Sequence, residues 1–191
     1  MRFMPPNLSL PAGARYPPQP LRRDSEGTDA MPPKSLIPLE LIDLDEVVAG
    51  IEDIRNANPQ RFEMEQLSRI CHFDPDAGAV AGVLDVPQEP FWARGHIPGR
   101  PLMPGVLLIE AAAQMCSWAV RQVYDPEAYK GRFFGFGGVD DVKFRATVLP
   151  GQQLLIVGGN GDVRPRRAVF DTQGWVDGKM AFQARITGMW V

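Results

Sequence analysis

Cysteine and histidine are scarce in this chain, with two of each in 191 residues. Cys71 and Cys116 are too few and too isolated for a disulfide framework or a zinc site. Cys116 falls in an apolar run and reads as a small core residue, and a reduced, cytoplasmic setting is the natural expectation. Neither sign of charge dominates: the net charge is -3 with 23% charged residues, which gives no general reason to expect a nucleic-acid partner. No apolar stretch suits a bilayer, because the run from Gly105 to Val120 is interrupted by Glu110, Gln114 and Ser117. Near the start, Pro5, Pro6, Asn7 and Pro11 break up any secretory apolar region. GxGxxG, a Walker loop, Cys/His metal spacing and internal repeats are all missing.

What is present divides unevenly. Residues 1–34 hold eight of the nineteen prolines and show neither a helical nor a strand period. Such a stretch cannot offset its ordering entropy by burial, so it reads as a mobile tail, with Met1 and Met31 both candidate starts. Residues 35–191 are long enough for one domain with a substantial core. Leu41, Ile42, Leu44, Val47, Val48 and Ile51 predict a short amphipathic helix. "RFEMEQLSRICHFD" and "GAVAGVLDV" predict strands, and Gly105 to about Val120 predicts a long helix. Four further strands are expected in "FFGFGGVDDVKFRATV", "QQLLIVGG", "RRAVFDTQGWV" and "KMAFQARITGMWV". Asp177-Gly178 signals a tight hairpin, and Pro150-Gly151 and Asn160-Gly161 mark other turns. A helix apolar on every side must be covered on every side. The expected class is therefore α+β, with a curved antiparallel sheet wrapped around a long central helix and a second subunit closing the structure.

The chemistry concentrates in "GHIPGRPLMPGVLLIEAAAQ", residues 95–114. His96 precedes a loop that Pro98, Pro101 and Pro104 are expected to hold extended. Gly105 opens the helix, where its amide can meet developing negative charge at the positive end of the dipole, or where its lack of a side chain can serve close packing. Glu110 lies five residues on, about 7.5 Å along the axis, in surroundings where a carboxylate is costly unless paired or used. Gln114, at i+4, shares its face and can hydrogen-bond the carboxyl or a water. A base, an acid and an oxyanion donor in one segment suit proton transfer beside a carbonyl.

That same run resembles the signature of the β-hydroxyacyl-acyl-carrier-protein dehydratases (FabZ type) of the hot-dog fold, with the spacing from His96 to Glu110 intact. The likeness extends over most of residues 55–191, through "NPQRFEMEQLSRI", "FGFGGVDDVKFRATVLPGQQL" and "WVDGKMAFQARI". It implies removal of water from a (3R)-hydroxyacyl thioester to give the trans-2-enoyl product, in fatty-acid or related lipid biosynthesis. By the resemblance His96 takes the proton beside the carbonyl, Glu110 protonates the departing hydroxyl, and the Gly105 amide holds the thioester oxygen. No metal and no organic cofactor is implied. The implied partners are acyl carrier protein and a second copy of the chain, with His and Glu of one site drawn from different chains and dimers stacking into hexamers. Glutamate at position 110 favours the plain dehydratase over the related dehydratase-isomerase. Departures from the pattern are Ile97 for Phe, Gln60 for His, Glu63 and Glu65 for Pro and Leu, and Ala146-Thr147 for Arg-Pro.

Other readings stay beside this one. A hot-dog hydratase or thioesterase acting on acyl-coenzyme A uses the same fold, although a thioesterase has no need of the His–Glu pair at this spacing. A non-catalytic acyl-binding relative has no physical need for a costly buried acid. Arg164, Arg166 and Arg167 are either a solvated face or, with Arg94 and Arg100, a dock for an acidic carrier. His72 reads as a strand or turn residue, and Trp92, Trp118, Trp175 and Trp190 as core or interface residues.

Overall fold

A computed structural model describes residues 34–191. The tail expected over 1–34 lies outside the described residues apart from Lys34, whose carbonyl accepts from Gln173 Nε2 at 3.1 Å. Eight elements follow in chain order: α1 (Ile51–Ala57), β1 (Arg69–Asp74), β2 (Ala79–Asp85), α2 (Gly105–Val123), β3 (Phe134–Phe144), β4 (Gln153–Arg164), β5 (Arg167–Val176) and β6 (Lys179–Trp190). All six expected strands exist. They form one antiparallel sheet in the order β1-β2-β4-β5-β6-β3, and with the central helix this is the hot-dog fold.

The sheet has two covered faces, and the sequence of β4 records both. Leu154, Leu155, Ile156 and Val157 are buried in succession, which a sheet with one wet face would not require. Leu154 and Ile156 turn toward α2 and join its core with Met115, Val120 and Phe182. Leu155 and Val157 turn the other way, onto Trp175, Met180, Ile37 and Ile42. The second face is thus sealed by an irregular strap over residues 34–48, tied at one end by Leu36 N–H donating to Gln173 Oε1 at 3.0 Å.

This strap corrects the expected amphipathic helix. The chain makes only a 3-10 turn at Leu39–Leu41, and the regular helix α1 starts after Gly50, whose N–H donates to Asp53 Oδ2. Ile37 and Ile42 turn in onto the sheet while Leu41 is 70% exposed and Val47 and Val48 are also exposed, so the apolar spacing does not mark one helix face. Val48 and Ala49 then pair with Ile70 along the β1 edge.

Two more expectations change. In "RFEMEQLSRICHFD" only Arg69–Asp74 is a strand, because residues 58–66 bend over α2 to bond Gln114. Asn160-Gly161 is not a turn but a bulge inside β4, with Asn160 at φ 52° and its Nδ2 donating to Asp171 Oδ2. The chain reverses instead at Pro165-Arg166, between the paired Arg164 and Arg167. A residue that tolerates left-handed backbone serves a bulge as well as a turn. Asp177-Gly178 is the expected hairpin turn, with both residues at positive φ.

All four tryptophans are buried, and His72 lies in β1. Among the described residues no helix is long and apolar enough to cross a membrane. Burial pushes the Cys71 thiol up to about 11, and Cys116 is raised for the same reason, so neither presents a thiolate at neutral pH.

Because the strap closes a second apolar layer, Ile42→Ala is expected to cost about 2 kcal/mol in urea unfolding. An unchanged unfolding midpoint would show that the strap is not part of the cooperative unit.

Candidate active site

The segment before α2 is built from tight turns rather than held extended. Trp92 O accepts from Gly95 N–H and His96 N–H, and Arg100 N–H returns to Ile97 O. Pro98 and Gly99 occupy the middle of that last turn, with Gly99 at φ 80°, the left-handed residue a type II turn needs. The chain then runs to Pro104, which flanks the helix while Gly105 takes its first position.

His96 is exposed, yet its ring is not free to rotate. Nδ1 lies 3.0 Å from Leu102 O. A carbonyl can only accept, so in the neutral ring Nδ1 carries the proton and Nε2 the lone pair. His96 lines a cleft with Leu102, Gly105, Val106, Phe144 and Thr147. Gly105 is close-packed there: a Cβ at this position would stand 2.7 Å from the Phe144 ring. No side chain caps the helix, so its first amides are not engaged by a capping group. The packing reading of Gly105 therefore has a visible cause, and the exposed helix end leaves the oxyanion reading standing.

Glu110 is half-buried on α2, and its Oε1 accepts from Gln114 Nε2 at 2.7 Å and Gln60 Nε2 at 3.2 Å. Gln114 is itself locked, its Oε1 accepting from Gln66 N–H and its Nε2 also donating to Met64 O. Glu65, a departure from the motif, forms a two-pronged pair with Arg55 at 2.7 and 2.9 Å. That guanidinium holds the Glu65 carboxyl below the usual carboxylate range. Gln60 thus clamps Glu110 directly, while Glu65 ties the same segment to Arg55. The sequence flagged Gln60 only as a substitution; its contact with Glu110 spans 50 positions and carries no local signal.

Within one chain the proposed base and acid do not meet. Glu110 lines a different cleft, with Gln60, Ser117, Phe136 and Gly188. The arginines also separate. Arg94 and Arg100 flank His96 at the start of α2. Arg166 O accepts from Trp190 N–H, and Trp190 lies beneath Arg121 in the last turn, sixteen residues or about 24 Å along the helix from Gly105. Arg164 is additionally paired with Asp162 at 2.9 Å.

The sequence profile of a FabA-like domain matches residues 58–185, from the clamp over Glu110 to the last strand. The chain belongs to the FabA-like family. This FabA-like protein is 36% identical over 138 residues to the 3-hydroxyacyl-[acyl-carrier-protein] dehydratase FabZ of Streptococcus pneumoniae (strain CGSP14), covering 72% of this chain and 94% of that one. It is 34% identical over 140 residues to the bifunctional enzyme LpxC/FabZ of Chlorobaculum tepidum, covering 73% of this chain but only 29% of that longer protein. Among solved structures, a dehydratase heterocomplex from Xenorhabdus doucetiae superposes with TM-score 0.58 at 14% identity, over 72% of this chain and 90% of that one. A mutant thioesterase from Pseudomonas aeruginosa gives 0.56 at 17%, over 78% and 99%. At these identities the two structures speak for the fold alone, while the two sequence relatives place this FabA-like chain in the FabZ type.

The tie to Leu102 makes a spectroscopic prediction. In two-bond 15N–1H spectra of the neutral imidazole, His96 is expected to carry its proton on Nδ1. A proton on Nε2 would remove the basic lone pair from the cleft and contradict this geometry.

Proposed function

We propose that this protein dehydrates (3R)-hydroxyacyl thioesters, carried on acyl carrier protein, to trans-2-enoyl thioesters in fatty-acid or related lipid biosynthesis. The observation that carries the reading is a histidine whose Nε2 lone pair is left free by the Nδ1–Leu102 contact, on the dehydratase spacing from a carboxyl held by two amides. His96 Nε2 takes the proton from C2, and those electrons form the C2–C3 double bond. The C3–O bond breaks as Glu110 protonates the oxygen, which leaves as water. The Gly105 N–H, at the uncapped start of α2, meets the charge that builds on the thioester oxygen. The reaction is reversible, and the reading places it in the cytoplasm.

A second copy of the chain completes the site. Strand β3 lies at the sheet edge for eleven residues, with Phe136 and Phe144 about half exposed. Phe144 lines the His96 cleft and Phe136 the Glu110 cleft. Antiparallel pairing of two β3 strands about a two-fold axis near Asp140 would set the Phe144 end of one chain beside the Phe136 end of the other. That brings His96 of one protomer toward Glu110 of its partner, and such dimers stack into a trimer of dimers. Arg94 and Arg100, flanking His96 in the sequence, would meet the acidic carrier, with Arg164, Arg166 and Arg167 as a second group at the far end of α2.

The decisive assay follows enoyl absorbance on a 3-hydroxybutyryl thioester of carrier protein, with coenzyme A as the second carrier. Glu110→Gln keeps the shape and removes the acid, and turnover is expected to fall by about 10²- to 10⁴-fold with the fold retained. Undiminished turnover would mean that the proton comes from elsewhere. Mixing the inactive variants His96→Ala and Glu110→Ala under subunit exchange is expected to restore about a quarter of wild-type activity, since random exchange leaves about half the dimers mixed with one whole site each. No recovery, with exchange confirmed by mass spectrometry, would rule out the shared site.

A further inference from the structure

We infer that Gln60 is a positioning residue for Glu110, fixing one carboxyl oxygen so that the other is the one that exchanges a proton with substrate; this rests on the dehydratase reading. Both donors reach the same atom. Gln114 Nε2 and Gln60 Nε2 lie 2.7 and 3.2 Å from Glu110 Oε1, and the described hydrogen bonds include none to Oε2. The orientation of each amide is set by its partners. Gln114 has its oxygen on a backbone N–H and its nitrogen on a backbone carbonyl. For Gln60 the nitrogen faces Glu110 and the oxygen finds no partner.

Stability alone does not account for Gln60. Its Oε1 is enclosed and accepts no hydrogen bond, and an unsatisfied buried acceptor destabilises the folded chain. The chain nevertheless holds this residue firmly in place. Asn58 Nδ2 donates to Gln114 O and Gln66 N–H to Gln114 Oε1, so the two ends of the segment around Gln60 clasp one helix residue. Arg61 braces the same segment through Asn58 O and Arg55 O. Glu110 and Gln60 then line a cavity of about 40 Å³ with Ser117, Phe136 and Gly188. That space has room for a water or a hydroxyl beside the carboxyl. A carboxyl pinned through Oε1 keeps Oε2 for the hydroxyl that leaves as water.

The role depends on an N–H donor at position 60, which an apolar residue lacks and the histidine usual in this family also offers. In 15N-labelled full-length protein, the Gln60 side-chain amide protons are expected to move on Glu110→Ala; unmoved resonances overturn the contact without reference to activity. With the 3-hydroxybutyryl carrier substrate, Gln60→Leu is expected to lower kcat about 10- to 100-fold, with KM changed by less than about twofold and the melting temperature held. Gln60→His is expected to recover most of that kcat. Equal losses in Gln60→Leu and Gln60→His, or a change in KM alone, would overturn the positioning role. Wild-type protein that turns over no 3-hydroxyacyl thioester would instead remove the dehydratase reading, and the amide shifts would still decide whether Gln60 holds Glu110.

Discussion

The constraint on which this molecule depends is the enclosure of α2. From Ala111 to Val120 nearly every residue of that helix is buried, whichever way it points. No single flat layer can enclose a cylinder. The sheet therefore curves around it, and the segment 58–66 folds over the remaining face. What the helix gains in apolar burial it must reconcile with Glu110 and Gln114, two polar groups set into the same surface. Their hydrogen bonds are met by the covering segment itself, so the piece that closes the core also holds the carboxyl.

Much of this was legible in the sequence. The six strands and the central helix announced themselves through period and turn chemistry, and the run from His96 to Gln114 through its motif. The hydrogen bond between Gln114 and Glu110 followed from their i, i+4 spacing. The failures share a physical origin. Residues 41–51 carry apolar spacing that suits a helix, but Ile42 and Leu44 pack on the outer face of a sheet made by residues far along the chain, while Leu41, Val47 and Val48 are exposed. Asn160 reads as a turn because its backbone preference does not say whether two strands end there or one strand bulges. Gln60 looked like a loss relative to the motif, and only the fold shows that it still points a donor at Glu110.

The division of labour along α2 follows from its direction. Its first turn is uncapped and open, where amides and a neighbouring imidazole meet solvent. Its last turn is roofed by aromatic residues, with Tyr129 stacked on Trp190 at 4.0 Å and Arg121 over the same indole. A cation near the C-terminal end suits the helix dipole.

The strap over the outer face also sets the order in which the chain can mature. Leu36 is tied to Gln173, 137 residues later, and the surface that receives Ile37 and Ile42 includes Trp175 and Met180. On a ribosome the strap emerges before the sheet and finds no complete surface until β5 and the start of β6 have been made. Until then its apolar residues and the half-built sheet are both open to other chains, the condition under which holding chaperones act. The docking of residues 34–48 is thus a closing step of biosynthesis, although these residues are translated before every strand they cover.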